Sequence, residues 1–326
     1  IEKLDLYIDD QLIDSHNDEL LNFIFNNSTG IDQKKSILNL IGDREELYTY
    51  NNIVKDGFSV RIPLKFWFCN HEGNSLPLVS LLHSNILLRG KFRNLNEIIK
   101  KEDDSFILNN QLKLKTKLTC NSIYLDDEER KMMSKAKHEY LIEKYQYSGE
   151  NIFGKNDIID DNELNLKLYF NDPTKYIYWK VKFISDQFSD FDWLQNDYYT
   201  KDSNNNLIYT RSIDFMKIKF MGRNREGFKD YEFYNAYHPY TRNIYNLSKG
   251  EFIYCFGLNS NPKNIQPSGS ANLTNIDDIT IVFQLNKNIL DKMNNENLQI
   301  SIKVWTCSYN ILAINSGLAG LRFFGN

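Results

Sequence analysis

The stretch Ile177-Tyr178-Trp179-Lys180-Val181-Lys182-Phe183 sets Ile177, Trp179, Val181 and Phe183 on one parity and Lys180 and Lys182 on the other. Successive side chains of an extended chain point to opposite faces, so this spelling predicts a strand with an apolar face turned inward and ammonium groups turned out. The same code surrounds it. Leu164, Leu166 and Leu168 oppose Asn165 and Lys167, and Met216, Ile218 and Phe220 oppose Lys217 and Lys219. Ile279, Ile281, Phe283 and Leu285 form one face further on, as do Ile300, Ile302 and Val304. Upstream, Leu4, Leu6 and Ile8 alternate with Asp5 and Asp9, and Ile62, Leu64, Phe66 and Phe68 alternate with Lys65 and Trp67. Leu112, Leu114, Thr116 and Leu118 alternate with Lys113, Lys115 and Lys117. Parallel strands covered on both faces would read as continuous apolar runs, so the pattern predicts an all-β chain of antiparallel sheets.

Composition agrees. Alanine, the best helix former, is confined to Ala136, Ala236, Ala271, Ala313 and Ala319, whereas the turn former Asn recurs throughout. At roughly 150 residues per domain, 326 residues suggest two cores. A hydrophobic share of 41% with 25% charged residues excludes a wholly disordered chain. The formal net charge of −4 offers no global basic field for holding nucleic acid. No long uninterrupted apolar segment signals a membrane span.

One segment departs from the strand rhythm. Asp126-Asp127-Glu128-Glu129-Arg130-Lys131-Met132-Met133-Ser134-Lys135 has a capping aspartate, acids in its first turn and bases after them, the charge order a helix dipole favours. It reads as a short helix joining two β domains, its carboxylates serving as cap and solvated face. A second irregular stretch, Asp186 to Arg211, contains Asn204-Asn205-Asn206 and reads as a long exposed loop of the second domain.

Signals of catalysis are missing. The chain has no Walker loop, GxGxxG, GxSxG or HExxH. His16, His71, His83, His138 and His238 are dispersed, and read as turn or rim residues. Cys69, Cys120, Cys255 and Cys307 form no CxxC pair and read as free thiols. The adjacent Asp160-Asp161 would point to opposite faces of a strand and cannot flank one bond. The lysine stripe at 113, 115 and 117 reads as a solvated strand face that discourages edge pairing. The expectation is a protein with no catalytic, cofactor-binding or metal-ligating residues.

Taken in order, several segments resemble one family, the double jelly-roll major capsid proteins of the nucleocytoplasmic large DNA viruses. The first is Leu4-Asp5-Leu6-Tyr7-Ile8 running into Gln11-Leu12-Ile13-Asp14-Ser15-His16. Ile62-Pro63-Leu64-Lys65-Phe66-Trp67-Phe68 follows, then Leu76-Pro77-Leu78-Val79-Ser80-Leu81. Tyr124-Leu125-Asp126-Asp127-Glu128-Glu129-Arg130 and His138-Glu139-Tyr140-Leu141-Ile142-Glu143 are similar to the connection between the two barrels. Asn171-Asp172-Pro173-Thr174-Lys175-Tyr176, Phe233-Tyr234-Asn235 with Pro239-Tyr240, and Tyr254-Cys255-Phe256-Gly257-Leu258 with Gln266-Pro267-Ser268-Gly269 continue the likeness. Tyr309-Asn310-Ile311-Leu312-Ala313-Ile314-Asn315-Ser316-Gly317-Leu318-Ala319-Gly320-Leu321 closes it. Cys69, Asn70, Glu72 and Ala313-Ile314-Asn315 depart from the usual family run, which suggests a divergent branch.

The resemblance implies two tandem eight-stranded sandwiches. Residues 1–125 are expected to form the remainder of a first jelly roll whose opening strands are missing before Ile1, 126–137 a linker with a short helix, and 138–326 the second jelly roll. It further implies a structural subunit of a homotrimeric, pseudo-hexagonal capsomer in an icosahedral virion capsid, assembled in the host cytoplasm. Its partners would be itself, neighbouring capsomers, and minor capsid and penton proteins. It would make no direct contact with nucleic acid and reach an inner membrane only indirectly. Two other roles remain open on the residues: a double jelly-roll scaffold of immature particles, and a carbohydrate-binding jelly roll using Trp193, Tyr198 and Tyr199.

Overall fold

The computed structural model describes residues 1–44, 47, 58–98, 114–159, 162–184, 198–201, 207–264, 266–295 and 298–323. Its N-terminal part opens with β1 (Lys3–Ile8) and β2 (Gln11–Asn17), an antiparallel pair whose turn holds Asp9 at φ 53°. Strand β2 passes directly into helix α1 (Asp18–Ser28), because the Asn17 side chain accepts a hydrogen bond from the Leu20 N–H, and Asp18 and Glu19 meet the positive end of the helix. Leu20, Phe23 and Ile24, spaced i, i+3, i+4, form its buried stripe. Helix α2 (Ile31–Ile41) follows and ends on Gly42, left-handed at φ 96°. Strand β3 (Ile86–Lys91) returns to the free side of β1, giving the sheet order β2-β1-β3.

Helix α3 (Asp127–Lys135) is the expected connection. The Asp126 carboxylate accepts from the N–H groups of Glu128 and Glu129 at 3.0 and 2.8 Å, and the Glu129 side chain accepts from the Asp126 N–H. This reciprocal box satisfies orphan donors of the first turn.

Beyond it lie β4 (His138–Phe153), β5 (Glu163–Leu168), β6 (Pro173–Ile184), the short hairpin β7 (Tyr198–Lys201) and β8 (Leu207–Thr210), β9 (Ile213–Phe220) and β10 (Arg223–Asp230). Strands β11 (Glu251–Cys255), β12 (Ala271–Asn272) and β13 (Ile279–Leu285), helix α4 (Lys287–Asn295), β14 (Gln299–Asn315) and β15 (Leu318–Leu321) complete the chain. One sheet runs β10-β9-β13-β5. In the other, β14 lies between β6 and β4, β11 and β12 extend the β6 side, and β15 pairs with the distal end of β14. All of these pairings are antiparallel. The two sheets close over one core that takes Leu164, Leu166, Ile177, Trp179, Val181, Met216, Ile218, Ile281, Phe283, Ile300, Ile302 and Val304, the inward parity read from the sequence. Trp179 lies at its centre, with Phe252 stacked at 5.9 Å and Tyr234 at 5.5 Å.

Three readings are corrected. The segment through Leu64 and Phe66 is not a strand: Pro63 removes a ladder donor, Trp67–Cys69 closes a 3-10 turn, and both Phe66 and Trp67 are buried in spite of their opposite parity. The alternation through Leu114, Thr116 and Leu118 is also no strand. Residues 114–126 carry no regular structure, and Leu114 and Leu118 stay exposed, because no strand among the described residues pairs with them; Leu112 and Lys113 lie outside those residues. Of the long loop expected from Asp186 to Arg211, residues 198–201 and 207–210 form the β7-β8 hairpin, and 186–197 and 202–206, Asn204-Asn205-Asn206 included, lie outside the described residues. Asp160, Asp161 and Trp193 lie outside the described residues.

Candidate functional site

The chemistry of this molecule is concentrated in the seam between its N-terminal and C-terminal parts, where two shared apolar clusters enclose a line of buried polar groups. In the first cluster, Leu4, Leu6, Ile8, Ile13, Phe66, Trp67 and Leu81 pack on Ile142, Leu312, Ile314 and Leu321. In the second, α1 lays Leu20, Phe23 and Ile24 on the outer face of the C-terminal sandwich, against Tyr176, Tyr178, Ile253, Trp305 and Cys307. Phe23 stacks on Tyr178 at 4.1 Å, and Tyr178 in turn on Trp305 at 5.3 Å.

Asp14 and His16 of β2 point into this seam, both fully buried. The Asp14 carboxylate accepts from the Tyr145 N–H of β4 at 2.8 Å through Oδ1 and meets His16 Nε2 at 3.0 Å through Oδ2. The imidazole stacks on Phe66 at 4.5 Å and abuts the Tyr145 ring edge-on. One carboxylate therefore satisfies a backbone donor on the long edge strand and fixes the ring that seals it. At the helix, Glu19 Oε1 lies 3.1 Å from Lys303 Nζ and 4.0 Å from Lys180 Nζ, so α1 is tied to β14 and β6 by charge as well as by packing.

A third pair joins β6 to β4. Lys175 Nζ, with no exposure, donates to Glu143 Oε1 at 2.7 Å and to the backbone carbonyl oxygens of Asn261 and Asn264. Burial pushes the Glu143 carboxyl above the usual range against the pull of the Lys175 ammonium. The Cys307 thiol donates toward Glu143 Oε2 at 3.7 Å, and burial raises its pKa well above the ordinary thiol value. Tyr145 and Tyr176 share a hydroxyl contact of 3.2 Å, and burial holds both protonated. These are shielded groups with raised proton affinities, the reverse of an activated nucleophile.

The remaining histidine of interest guards a sheet edge. Strand β11 pairs with β6 on one side only, and its other side is covered by a π-helical turn, Phe233–Tyr237, running into the helical turn His238–Thr241. Asn235 Nδ2 donates to the carbonyls of Ser248 and Glu251, the Tyr231 hydroxyl accepts from the Gly250 N–H, and His238 Nε2 accepts from the Cys255 N–H at 2.9 Å. Burial, with the neighbouring Arg242 charge, lowers the His238 pKa to about 4, which keeps Nε2 an acceptor at neutral pH.

Two of the five histidines thus differ from the rim positions expected of them: His16 and His238 are internal, each holding a strand-edge arrangement. His138 is half-buried, facing Ser80 Oγ and the Met133 carbonyl. The cysteines are free, as read; Cys255 and Cys307 are buried, and Cys69 and Cys120 exposed. Lys115 and Lys117 stay exposed on an irregular segment, so no strand-face basic stripe forms there. Glu143 and Lys175 entered the sequence reading only inside resembling motifs, and their pairing escaped it. They lie 32 residues apart, and only an acid and a base amid apolar alternation would have marked them.

Paired antiparallel sheets with a buried aromatic core, preceded by a second β unit locked to the same long strands, define a double jelly-roll architecture. The chain belongs to the large eukaryotic DNA virus major capsid protein family, whose profile matches residues 129–320, while the major capsid protein N-terminus profile matches residues 1–127. Relatives include the major capsid protein of Pyramimonas orientalis virus, 25% identical over 285 residues, covering 80% of this chain and 60% of that protein. Capsid protein 1 of Acanthamoeba polyphaga mimivirus is 31% identical over 192 residues, covering 56% of this chain and 32% of the relative. The major capsid protein of Paramecium bursaria Chlorella virus 1 is 25% identical over 292 residues, covering 80% and 66%. The chain therefore spans from about a third to about two thirds of the length of these curated relatives. A chain of the PBCV-1 virus capsid quasi-atomic model superposes with a TM-score of 0.72 at 19% identity, covering 99% of this chain and 83% of that one, which establishes the shared fold.

Proposed function

We propose that this chain is a structural subunit of an icosahedral virion shell, built as a homotrimer whose paired jelly rolls give a pseudo-hexagonal capsomer. The observation that carries the reading is the seam: α1 and β2 are bound to β4, β6 and β14 by the Glu19 ion pairs, the buried Asp14 carboxylate and two apolar clusters, so the two parts make one stiff block suited to tiling. The division follows as residues 1–125, a linker at 126–137, and a second jelly roll at 138–326, with α3 as the bridge. Neighbouring capsomers, minor capsid proteins and penton proteins are the partners of such a block, and the host cytoplasm is its place of assembly. Its net charge of −4 suits a wall that does not need to grip the genome. Native mass spectrometry of the purified protein at micromolar concentration tests the reading. A stable trimer is expected, and a monomer with no trimer detectable would overturn it.

A further inference from the structure

Beside the β11 edge, Glu232, Asn235, Tyr237, Tyr240, Ile244 and Tyr245 line an open groove of about 480 Å³. Tyr237, Tyr240 and Tyr245 are 64%, 68% and 59% exposed, an unusual concentration of large rings facing solvent along one short stretch of chain. Tyr245 stands edge-on to Tyr240 at 6.1 Å, and its hydroxyl is fixed on Asn243 Oδ1 at 2.7 Å. The π-helical turn that carries Asn235 and Tyr237 is a rare conformation that tends to occur where a side chain must be aimed for function.

The polar atoms here select a ligand class. Asn235 spends both amide hydrogens on the Ser248 and Glu251 carbonyls, which leaves its Oδ1 an acceptor with no partner among the described residues. Glu232 is already neutralised by Arg211, which also stacks on Tyr231 at 4.9 Å, so an incoming anion or cation meets no unpaired opposite charge in the lining. The Tyr237 and Tyr240 hydroxyls also have no partner among the described residues. Flat aromatic faces, spare acceptors, hydroxyls and no net charge match a neutral ring with a C–H face and several O–H donors. The volume lies within the range of small-molecule sites.

We propose that this groove binds a neutral oligosaccharide, with sugar rings stacked on Tyr237 and Tyr240 and hydroxyls donating to Asn235 Oδ1. The site uses none of the seam residues. Its test is saturation-transfer NMR on the full chain with maltotetraose, cellotetraose, mannotetraose and tri-N-acetylchitotriose as probes. At least one probe should show transfer, with Kd raised about tenfold in Tyr240→Ala and changed less than about threefold in Tyr240→Phe, which keeps the ring. Tyr169→Ala, which removes an exposed ring elsewhere, should leave binding unchanged. Absence of transfer from all four probes, or binding retained in the Tyr237→Ala/Tyr240→Ala double variant, would overturn the proposal. So would a double variant that alters the association state of the protein while no probe binds, since the groove would then be a protein contact.

Discussion

Acidification should weaken this protein through His238. In the folded chain its Nε2 lone pair accepts the Cys255 N–H, and its pKa is held at about 4, against 6.5 for a free imidazole. The folded pKa lies below the unfolded one, so the unfolded chain takes up the proton first, and stability falls as protons are added. The contribution is complete above pH 6.5, declines as pH drops from 6.5 to about 4, and changes no further below that. A shift of this size corresponds to at most about 3 kcal/mol, and about 2 kcal/mol once solvent screening at the rim of the site is allowed for. Replacement by glutamine isolates the group, because the Gln Oε1 reaches the position of Nε2 and accepts the same N–H without titrating. Urea unfolding followed by tryptophan fluorescence, which reports on Trp179 and Trp305 in the cores, would be measured for both proteins from pH 7.5 to 4. The native chain should lose about 2 kcal/mol more than His238→Gln over that interval. Every other titrating group is common to the two and cancels in the difference. Parallel curves, separated by a constant amount at all pH values, would refute the assignment.

The buried Lys175–Glu143 pair makes a contrasting prediction. Lys175→Met strands a carboxylate inside the seam and should cost about 3–5 kcal/mol in denaturant unfolding, whereas Lys175→Met with Glu143→Leu should recover most of that. Equal losses in the two variants would contradict the burial argument. Truncating Phe23 to Ala removes the ring stacked on Tyr178 and should cost about 3–5 kcal/mol, with new proteolytic cuts appearing within residues 18–28 as α1 lifts from the sandwich. Gly317→Ala should lower the melting temperature, because the backbone there sits at φ 85° and an added Cβ would lie 2.6 Å from the His83 ring; the combined cost is about 1–3 kcal/mol.

How far the fold is legible depends on whether a residue's fate is decided locally. Strands β5, β6, β9, β13 and β14 announce themselves because the apolar parity of each is the parity found in the sandwich core, although only β5 and β9 bury one face alone; β6 and β14 are covered on the other face by α1, so Lys180, read as an outward ammonium, is buried there beside Glu19. Alternation from Leu112 to Leu118 has the same spelling without the same outcome, since a strand exists only when another offers its backbone groups. Helix α1 was hidden for a different reason. Its stripe of Leu20, Phe23 and Ile24 is set among Asn22, Asn26 and Asn27, and the low local propensity is overridden by packing on Tyr178 and Trp305. The seam was legible in part. Asp14, Glu143 and Lys175 drew notice only as members of resembling motifs, and the Glu143–Lys175 pairing not at all, because charge pairing across 32 residues leaves no periodic trace. The tyrosine groove depends on a π-helical turn that no simple spacing signals.

Strand β14 explains how two parts of one chain act as a single block. It has 17 residues, about 55 Å at strand rise, and its even positions share one face throughout. Ile300, Ile302 and Val304 on that face enter the sandwich core, while Leu312 and Ile314 enter the core built with β1 and β2. Thr306, Ser308 and Asn310 lie between, all buried. Ser308 Oγ meets Thr174 Oγ1 at 3.0 Å, and Asn310 holds the Phe323 backbone by its amide. This polar step separates two hydrophobic cores along one continuous strand. Merging them would strip the Ser308 hydroxyl and the Asn310 amide of their partners, at about 1–3 kcal/mol each. The opposite face of the same strand gives Trp305 and Cys307 to α1. All three clusters are therefore registered by one covalent element, and a one-residue slip of β14 would turn each inside out.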